Sequence, residues 1–300
     1  MEFTTNVCDG FAIQTINVGD VIEKDYRFNS NNHPISSNGD KPDDYTEVLD
    51  KCSTKYWVNE FHAGKYSYFD LLPQHIEWMK EASKTGYQTG QFSRLFFEEL
   101  DECVNDHEEY QALINQIGSD KGVFVRTETV SLKTGMFGAG PYHELDSIFK
   151  SMVTCRVSHC PIREDTKEVR IYLLPWKEIN DFKEFRVFIF KGCITAISQQ
   201  ALYSVNALLA GLDREPLLKI VAGWCRKIVT FFESTIRERI RLESYTMDIC
   251  LLGDNEDPYF IEINSFGKHY SAGSSLFHWI LDDEILEGDG DGLIFFRYVV

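Results

Sequence analysis

Apolar and polar positions follow two different periods along this chain. Short apolar runs, such as residues 123–125 and 185–190, have the length and residue types of buried strands. Residues 215–241 instead carry apolar side chains at the three- and four-residue spacing of an amphipathic helix. The same pattern predicts further strands over 169–174, 194–198, 246–252 and 259–263, and helices over 74–83, 92–116, 145–153 and 275–281. Strands and helices mix throughout, which predicts an α+β or an α/β fold.

Three polar residues interrupt the last two predicted strands. Asp248 lies within an apolar run, and Glu262 and Asn264 alternate with apolar residues. Residues two apart on a strand point to the same side, and an intervening turn would bring Asp248 beside the other two. Two carboxylates and an amide oxygen are hard ligands suited to Mg²⁺. The alternative is a pair of strands whose polar faces merely meet solvent.

Cations lie at the ends and centres of other predicted strands. Arg126 follows an apolar run, and Lys133 opens a loop with glycines at 135, 138 and 140. Glycine lets backbone N–H groups approach a phosphate, so the segment suits a triphosphate, although no GxxxxGK[ST] loop is present and an ordinary surface loop is the alternative. Arg186 sits inside a third apolar strand, where it pairs with Glu184 or reaches a phosphate.

The amino-acid composition bears on which classes of binding partner are expected. Lys and Arg total 30 against 47 Asp and Glu, a formal charge of −17. Nucleic-acid binding needs a basic surface, so the charge argues against a nucleic-acid partner. The acidity serves solubility or, as the functional alternative, attracts a basic protein partner. No run of about eighteen apolar residues exists, which predicts that no segment crosses a membrane.

The eight cysteines form no CxxC pair. We therefore expect buried, reduced thiols and a cytosolic or nuclear, most simply cytoplasmic, protein. Cys155 with His159 and Cys160 gives a weak hint of zinc, because no second ligand pair follows.

Taken in order, these elements resemble the cell division cycle protein 123 family, a divergent branch of the ATP-grasp fold. The resemblance runs from about Tyr56 to Trp279. The motifs that carry it are Tyr56-Trp57, Leu71-Leu72-Pro73, Ser131-Leu132-Lys133, Leu173-Leu174-Pro175-Trp176, Glu184-Phe185-Arg186-Val187-Phe188, Ala196-Ile197-Ser198-Gln199, Met247-Asp248, Ile261-Glu262-Ile263-Asn264 and Leu276-Phe277-His278-Trp279. This chain departs from the family pattern at Thr134, Leu174 and Glu262, and only Arg156 is a candidate for the family's second phosphate lysine.

The resemblance implies an α+β, ATP-grasp-like fold with two halves that close over ATP. Residues 121–175 would form the first half with the glycine-rich phosphate loop, and 176–300 the second half with the metal motifs. Residues 1–120 would form an N-terminal region with a loop or flexible insertion near 29–44. The implied nucleotide-binding residues are Arg126, Lys133, Leu173, Leu174, Trp176, Arg186 and Gln199, and the implied Mg²⁺ ligands are Asp248, Glu262 and Asn264.

The function implied by the resemblance is that of an assembly chaperone. The family is associated with assembly of translation initiation factor 2 through its gamma subunit, with ATP as a structural or switching ligand. An ATP-dependent ligase, or a nucleotidyl or phosphoryl transferase, is the alternative, acting on a protein, a small molecule or, with less support from the acidic composition, RNA ends. No catalytic residue can be named from the sequence.

Overall fold

The computed structural model describes residues 3–30, 41–270, 272–288 and 292–300. Most of the loop or insertion predicted over 29–44 lies outside these ranges. The chain divides into two compact units, one formed by Met1–Cys52 with Glu178–Val300 and the other by Ser53–Lys177. The three regions predicted from the sequence, 1–120, 121–175 and 176–300, have boundaries that differ from those of these units. That 121–175 and 176–300 act as two functional halves stays a prediction.

The described residues contain ten strands and nine α-helices. The strands are β1 (Thr5–Cys8), β2 (Phe11–Ile16), β3 (Ser67–Asp70), β4 (Val123–Arg126), β5 (Arg170–Pro175), β6 (Glu184–Phe190), β7 (Cys193–Gln199), β8 (Tyr245–Leu252), β9 (Asp257–Ser265) and β10 (Ile294–Val299). The helices are α1 (Val18–Glu23), α2 (Tyr45–Lys51), α3 (Thr54–His62), α4 (Pro73–Thr89), α5 (Phe97–Asp106), α6 (Glu109–Gly118), α7 (Leu145–Thr154), α8 (Arg214–Phe231) and α9 (Asp283–Leu286).

The discontinuous unit is built on a seven-stranded sheet in the order β1-β2-β10-β7-β6-β8-β9. β10 runs parallel to both of its neighbours, and the other pairs are antiparallel. Strand alternation gives the sheet two faces. On one face, Phe185 meets Trp224 of α8 at a ring distance of 5.7 Å, and on the other, Phe188 meets Phe277 and Trp279. This second face therefore carries both an aromatic cluster and the polar residues described below.

The continuous unit packs helices α3 to α7 with an antiparallel three-stranded sheet, β3-β5-β4. Its core holds buried residues from the strands and from α4, α5 and α7, including Phe69, Met79 and Phe149. Gly86 lets α4 approach α7 closely, since a Cβ there would clash with the carbonyl oxygen of Val153.

The predicted α+β class is confirmed, but several predicted elements differ. The helix predicted over 215–241 ends at Phe231 and is followed by a π-helical turn, Phe232–Ile236. The helix expected over 92–116 is two helices, because the chain leaves the helical conformation at His107, whose Nδ1 bonds the carbonyl oxygen of Cys103 at 2.9 Å. The helix predicted over 275–281 is wrong. Its N–H groups bond side chains instead, those of Leu276 and Trp279 reaching the hydroxyls of Ser198 and Ser30.

The sequence pattern predicted no element over the last residues of the chain, where the structure has β10, an interior strand of the seven-stranded sheet. No helix in the described ranges combines the length and apolarity that a membrane-crossing helix needs.

Candidate functional site

A row of polar side chains crosses the seven-stranded sheet. Directly paired residues on neighbouring strands share a face of the sheet. Following the register from edge to edge, the row consists of Thr5, Gln14, Arg297, Ser198, Arg186, Asp248 and Glu262. The predicted metal motifs therefore form one end of a polar band that spans the whole sheet.

Arg186 and Asp248 form a bidentate pair within this row. The guanidinium Nε and Nη2 donate to the two carboxylate oxygens at 2.8 and 2.6 Å, and Nη1 donates to the carbonyl oxygen of Gly273 at 2.6 Å. The two side chains are 12% and 5% exposed. Burial lowers the pKa of Arg186, but the charge and hydrogen bonds of Asp248, with the charges of Glu262 and Glu184, outweigh it and raise the pKa.

Glu262 and Asn264 continue the polar face on β9. Both are half-buried, and the amide Nδ2 of Asn264 donates to Oε1 of Glu262 at 3.3 Å. Asn264 is paired in register with Thr246, whose buried hydroxyl has no hydrogen-bond partner within the described part of the chain. A buried polar atom left without a partner is uncommon in folded proteins. The hydroxyl thus lies among oxygen-bearing side chains, and the sequence pattern did not single it out.

The donor set fits Mg²⁺. Glu262 supplies carboxylate oxygens, Asn264 supplies its Oδ1 while its Nδ2 bonds Glu262, and Asp248 supplies a second carboxylate, which also holds Arg186. Mg²⁺ prefers such hard oxygen ligands and commonly retains water and phosphate oxygens beside one or two carboxylates. The residues predicted as ligands are therefore brought together in one unit.

Comparison with known proteins decides the family. The family model described as D123 matches residues 142–298, just over half of the chain. The chain belongs to the D123 family. No curated protein sequence is similar enough to this chain to count as a match.

Two solved structures support this membership at the level of the fold. Cdc123 from Schizosaccharomyces pombe is 12% identical, with a TM-score of 0.55, over 84% of this chain and 97% of that one. A C-terminally truncated form of the same protein gives 12% identity and a TM-score of 0.56 over the same shares. The predicted α+β class is confirmed, and the fold is similar to that of Cdc123. The ATP-grasp-like architecture implied by the sequence resemblance stays a prediction.

A third structure, a RimK domain protein ATP-grasp from Sphaerobacter thermophilus, is 16% identical over 55% of this chain and 48% of that one. Its TM-score of 0.28 is too low to carry an argument.

Gln199, in the D123-like motif of β7, has a structural place. It is fully buried and adjacent along the strand to Ser198, so it faces away from the polar row. Its Nε2 donates to the carbonyl oxygens of Ala201 and Ser204 at 2.7 and 3.1 Å, and its Oε1 accepts from Asn206 at 3.0 Å. These bonds tether the segment after β7, and they do not support the predicted contact with the nucleotide.

Arg126 is buried at the end of β4 in the continuous unit. Its Nε donates to the hydroxyl of Thr54 at 2.8 Å, and its guanidinium lies 4.6 Å from the ring centre of Trp57. Trp57 belongs to the first of the family-like motifs, so the two motif residues are in contact. Lys133, by contrast, is exposed. Their predicted contact with phosphate stays a prediction.

The glycine-rich segment serves packing. The N–H groups of Gly135 and Gly138 donate to carbonyl oxygens within the segment, and those of Met136 and Phe137 donate to the hydroxyls of Thr154 and Ser151 of α7. A Cβ on Gly135 would meet the backbone of Ser151 at 2.6 Å. The expectation that these N–H groups approach a phosphate is therefore wrong for residues 135–138, because they hold the segment against α7.

The predicted hinge residues differ in exposure. Leu173 belongs to the core of its unit, and Leu174 is buried on the opposite face of β5. Trp176 is half-buried, and its backbone N–H donates to the carbonyl oxygen of Gly122 at 3.1 Å. Their predicted place beside the adenine stays a prediction.

Proposed function

We propose that this chain binds Mg-ATP and acts as an ATP-dependent assembly chaperone for a protein partner. Family membership and the Cdc123-like fold support the proposal at the coarse level. The observation that carries the nucleotide part is the Arg186–Asp248 pair beside Glu262 and Asn264 on one face of the sheet.

Within this proposal, Asp248, Glu262 and Asn264 hold Mg²⁺ and Arg186 contacts a phosphate. Bound Mg²⁺ neutralises phosphate oxygens and orients the triphosphate. Asp248 holds the guanidinium of Arg186 by two bonds, so the cation is oriented before a phosphate arrives. Orienting a charged group in advance reduces the entropy lost on binding.

The chaperone part rests on the net charge of −17 and on the family. An acidic surface attracts a basic partner, and such association slows as salt screens the charges. The first partner to test is the gamma subunit of translation initiation factor 2. A ligase or a transferase remains the competing function, and the experiments below separate them.

The nucleotide site is tested by calorimetry on the D248A/E262A double variant. We expect the variant to remain folded and to lose Mg²⁺-dependent ATP affinity. The matched control is D20A/E47A, which removes two carboxylates from exposed helical ion pairs. Unchanged ATP binding by D248A/E262A would show that the site lies elsewhere.

Radiolabelled ATP with Mg²⁺ separates chaperone from enzyme. For the chaperone we expect slow or absent hydrolysis by the protein alone, together with marked thermal stabilisation, about 2.7 kcal/mol at a hundredfold excess of ATP over its Kd. Release of ADP upon addition of a small carboxylate or amine would favour a ligase, and release of AMP would favour nucleotidyl transfer.

Pull-down with immobilised protein tests the partner. We expect retention of the gamma subunit of initiation factor 2 with Mg-ATP present, an association that slows as salt rises, and weaker retention by D248A/E262A. Rapid turnover of a small molecule with no retention of the gamma subunit would reject the chaperone function while leaving the ATP site intact.

A further inference from the structure

A second group of potential metal ligands lies in the continuous unit, which does not contain Asp248, Glu262 or Asn264. His75 lies in the first turn of α4, Cys103 lies in α5, and His107 follows α5 directly. Cys103 and His107 are four positions apart, a spacing that places two side chains on one side of a helix. The sequence pattern did not group the three, because His75 is distant along the chain and the weak zinc hint concerned Cys155.

The three side chains converge in the core. Each is 2% exposed or less, and one ligand atom from each lies within 4.8 Å of the others. Tetrahedral zinc bonded to two imidazoles and a thiolate holds its ligand atoms about 3.3–3.6 Å apart. Small side-chain rotations would therefore bring the three atoms to bonding distance.

One ring nitrogen of each imidazole already makes a polar contact that orients the ring. Nε2 of His75 lies 3.0 Å from Oδ2 of Asp106, and Nδ1 of His107 lies 2.9 Å from the carbonyl oxygen of Cys103. Histidines that bind metals commonly use one ring nitrogen in this way, toward a carboxylate or a carbonyl, and the other for the metal.

The remaining nitrogen of His107 decides between a ligand site and an ordinary core. Its Nε2 is buried and has no hydrogen-bond partner among the residues that the structure describes. The alternative explanation is that His107 acts only as an aromatic core residue. The centre of its ring lies 5.5 Å from that of Phe69 and 5.8 Å from that of Phe149. That explanation accounts for the ring packing but leaves the lone pair of Nε2 unsatisfied, since Nδ1 is the nitrogen that donates to the carbonyl oxygen of Cys103. A metal ion satisfies it.

We propose that His75, Cys103 and His107 form a zinc site, with water in the fourth position and Asp106 orienting His75. Two imidazoles and one thiolate form a donor set typical of Zn²⁺ rather than of Mg²⁺ or Ca²⁺. On binding, the Zn–S bond forms as the Cys103 thiol releases its proton to solvent. The site is independent of the nucleotide proposal, because none of its residues belongs to the sheet that carries Asp248.

Metal content is the first test. The full chain, with any histidine tag removed, is stripped with a chelator, dialysed against Zn²⁺ and then against metal-free buffer, and assayed for zinc. We expect one zinc per chain in the wild type and in C155S, and at least a tenfold loss in C103S and H107Q. C155S is the matched control, because Cys155 is equally buried in the same core.

Cobalt substitution supplies a readout that does not depend on the variants folding. Co²⁺ bound to the wild type should show a thiolate-to-cobalt charge-transfer band and the strong visible absorption of tetrahedral coordination. Zinc below a tenth of an equivalent in the wild type, a cobalt spectrum lacking the thiolate band, or full zinc retention in folded C103S would each overturn the site.

Discussion

Two buried arginine–aspartate pairs lie on the same face of the seven-stranded sheet, and their surroundings differ. Arg297 and Arg186 occupy the same row, separated by Ser198. Asp282 receives two guanidinium groups, from Arg297 at 2.8 and 2.9 Å and from Arg27 at 2.7 and 2.7 Å. At this pair, cations outnumber the carboxylate.

The Arg186 pair has the opposite balance. One guanidinium is acted on by the carboxylates of Asp248, Glu262 and Glu184. Arg297 also contacts neutral side chains. Its Nε donates to Oε1 of Gln14 at 2.8 Å, and its guanidinium lies 4.1 Å from the ring centre of Phe277. Similar ion pairs thus serve different ends. The pair at Asp282 fixes β10 to the segment that follows β9, whereas the pair at Asp248 borders oxygen donors suited to a cation.

The largest expected effect separates the two aspartates by stability. D282N leaves two buried guanidinium groups without their carboxylate, and breaking a buried pair in this way costs about 3–5 kcal/mol. D248N should cost less, because Arg186 keeps its bond to Gly273 and the nearby charges of Glu262 and Glu184. Urea denaturation of both variants measures the difference.

D20N is the control for that experiment. Asp20 pairs with Lys24 at an exposed position, where such pairs contribute about 0–1 kcal/mol. Equal destabilisation by D248N and D282N would remove the distinction between the two pairs.

The next effect concerns the phosphates. R186A should weaken ATP binding by about 1.5–3 kcal/mol, the size of one hydrogen bond to a charged group, and should leave adenosine binding unchanged. Calorimetry with both ligands measures this, and adenosine also reports that the variant is folded. R226A, which removes an exposed arginine, is the control. A parallel loss of adenosine affinity would give Arg186 a structural role like that of Arg297.

Acid should affect the Asp282 pair in a defined direction. Burial raises the pKa of Asp282, but hydrogen bonds and charges from Arg27 and Arg297 outweigh it, so the pKa lies below its ordinary value of 3.8. The carboxylate therefore stabilises the fold at pH values above 3.8, and this stabilisation is lost as pH falls through the lower pKa of the folded state. Denaturation between about pH 5 and pH 2, the window in which such carboxylates take up protons, should show a steeper decline for the wild type than for D282N. Equal slopes would contradict the assignment.

The three oxygen-bearing residues proposed as Mg²⁺ ligands could be grouped from the sequence alone. A carboxylate in an apolar strand is costly, and the period of two fixes which neighbours share its face, so Asp248, Glu262 and Asn264 could be grouped without coordinates. The structure brings these three together, as the strand pattern predicted, and it adds Arg186, which the pattern did not place beside them. The periodicities also predicted a mixture of strands and helices, and the resemblance to the family then favoured α+β over α/β.

The rest depended on contacts between distant parts of the chain. β10 could not be recognised as an interior strand, because its pairing with β2 and β7 joins opposite ends of the sequence. The glycines near 135 looked like a phosphate loop, but close approach to a helix requires the same residue. Gln199 matched a motif, yet only its hydrogen bonds to the following segment reveal its place.

The smallest effect tests the oxygen donors beside Asp248. T246V removes a buried hydroxyl for which the described ranges offer no hydrogen-bond partner. We expect it to stabilise the protein without ligand by about 1 kcal/mol, because an unsatisfied polar group is replaced by a methyl of similar size. T195V is the matched control on β7 of the same sheet. Its hydroxyl donates to the carbonyl oxygen of Leu286 at 2.8 Å, so its loss should destabilise by about 1 kcal/mol.

Urea denaturation with and without Mg-ATP measures both variants. If the Thr246 hydroxyl serves the ligand site, T246V gains stability alone and loses part of the increment from Mg-ATP, whereas T195V keeps that increment in full. A destabilised T246V with an unchanged Mg-ATP increment would mean that the hydroxyl serves the fold, and the contrast with the closed Asp282 pair would then rest on Asp248, Glu262 and Asn264 alone.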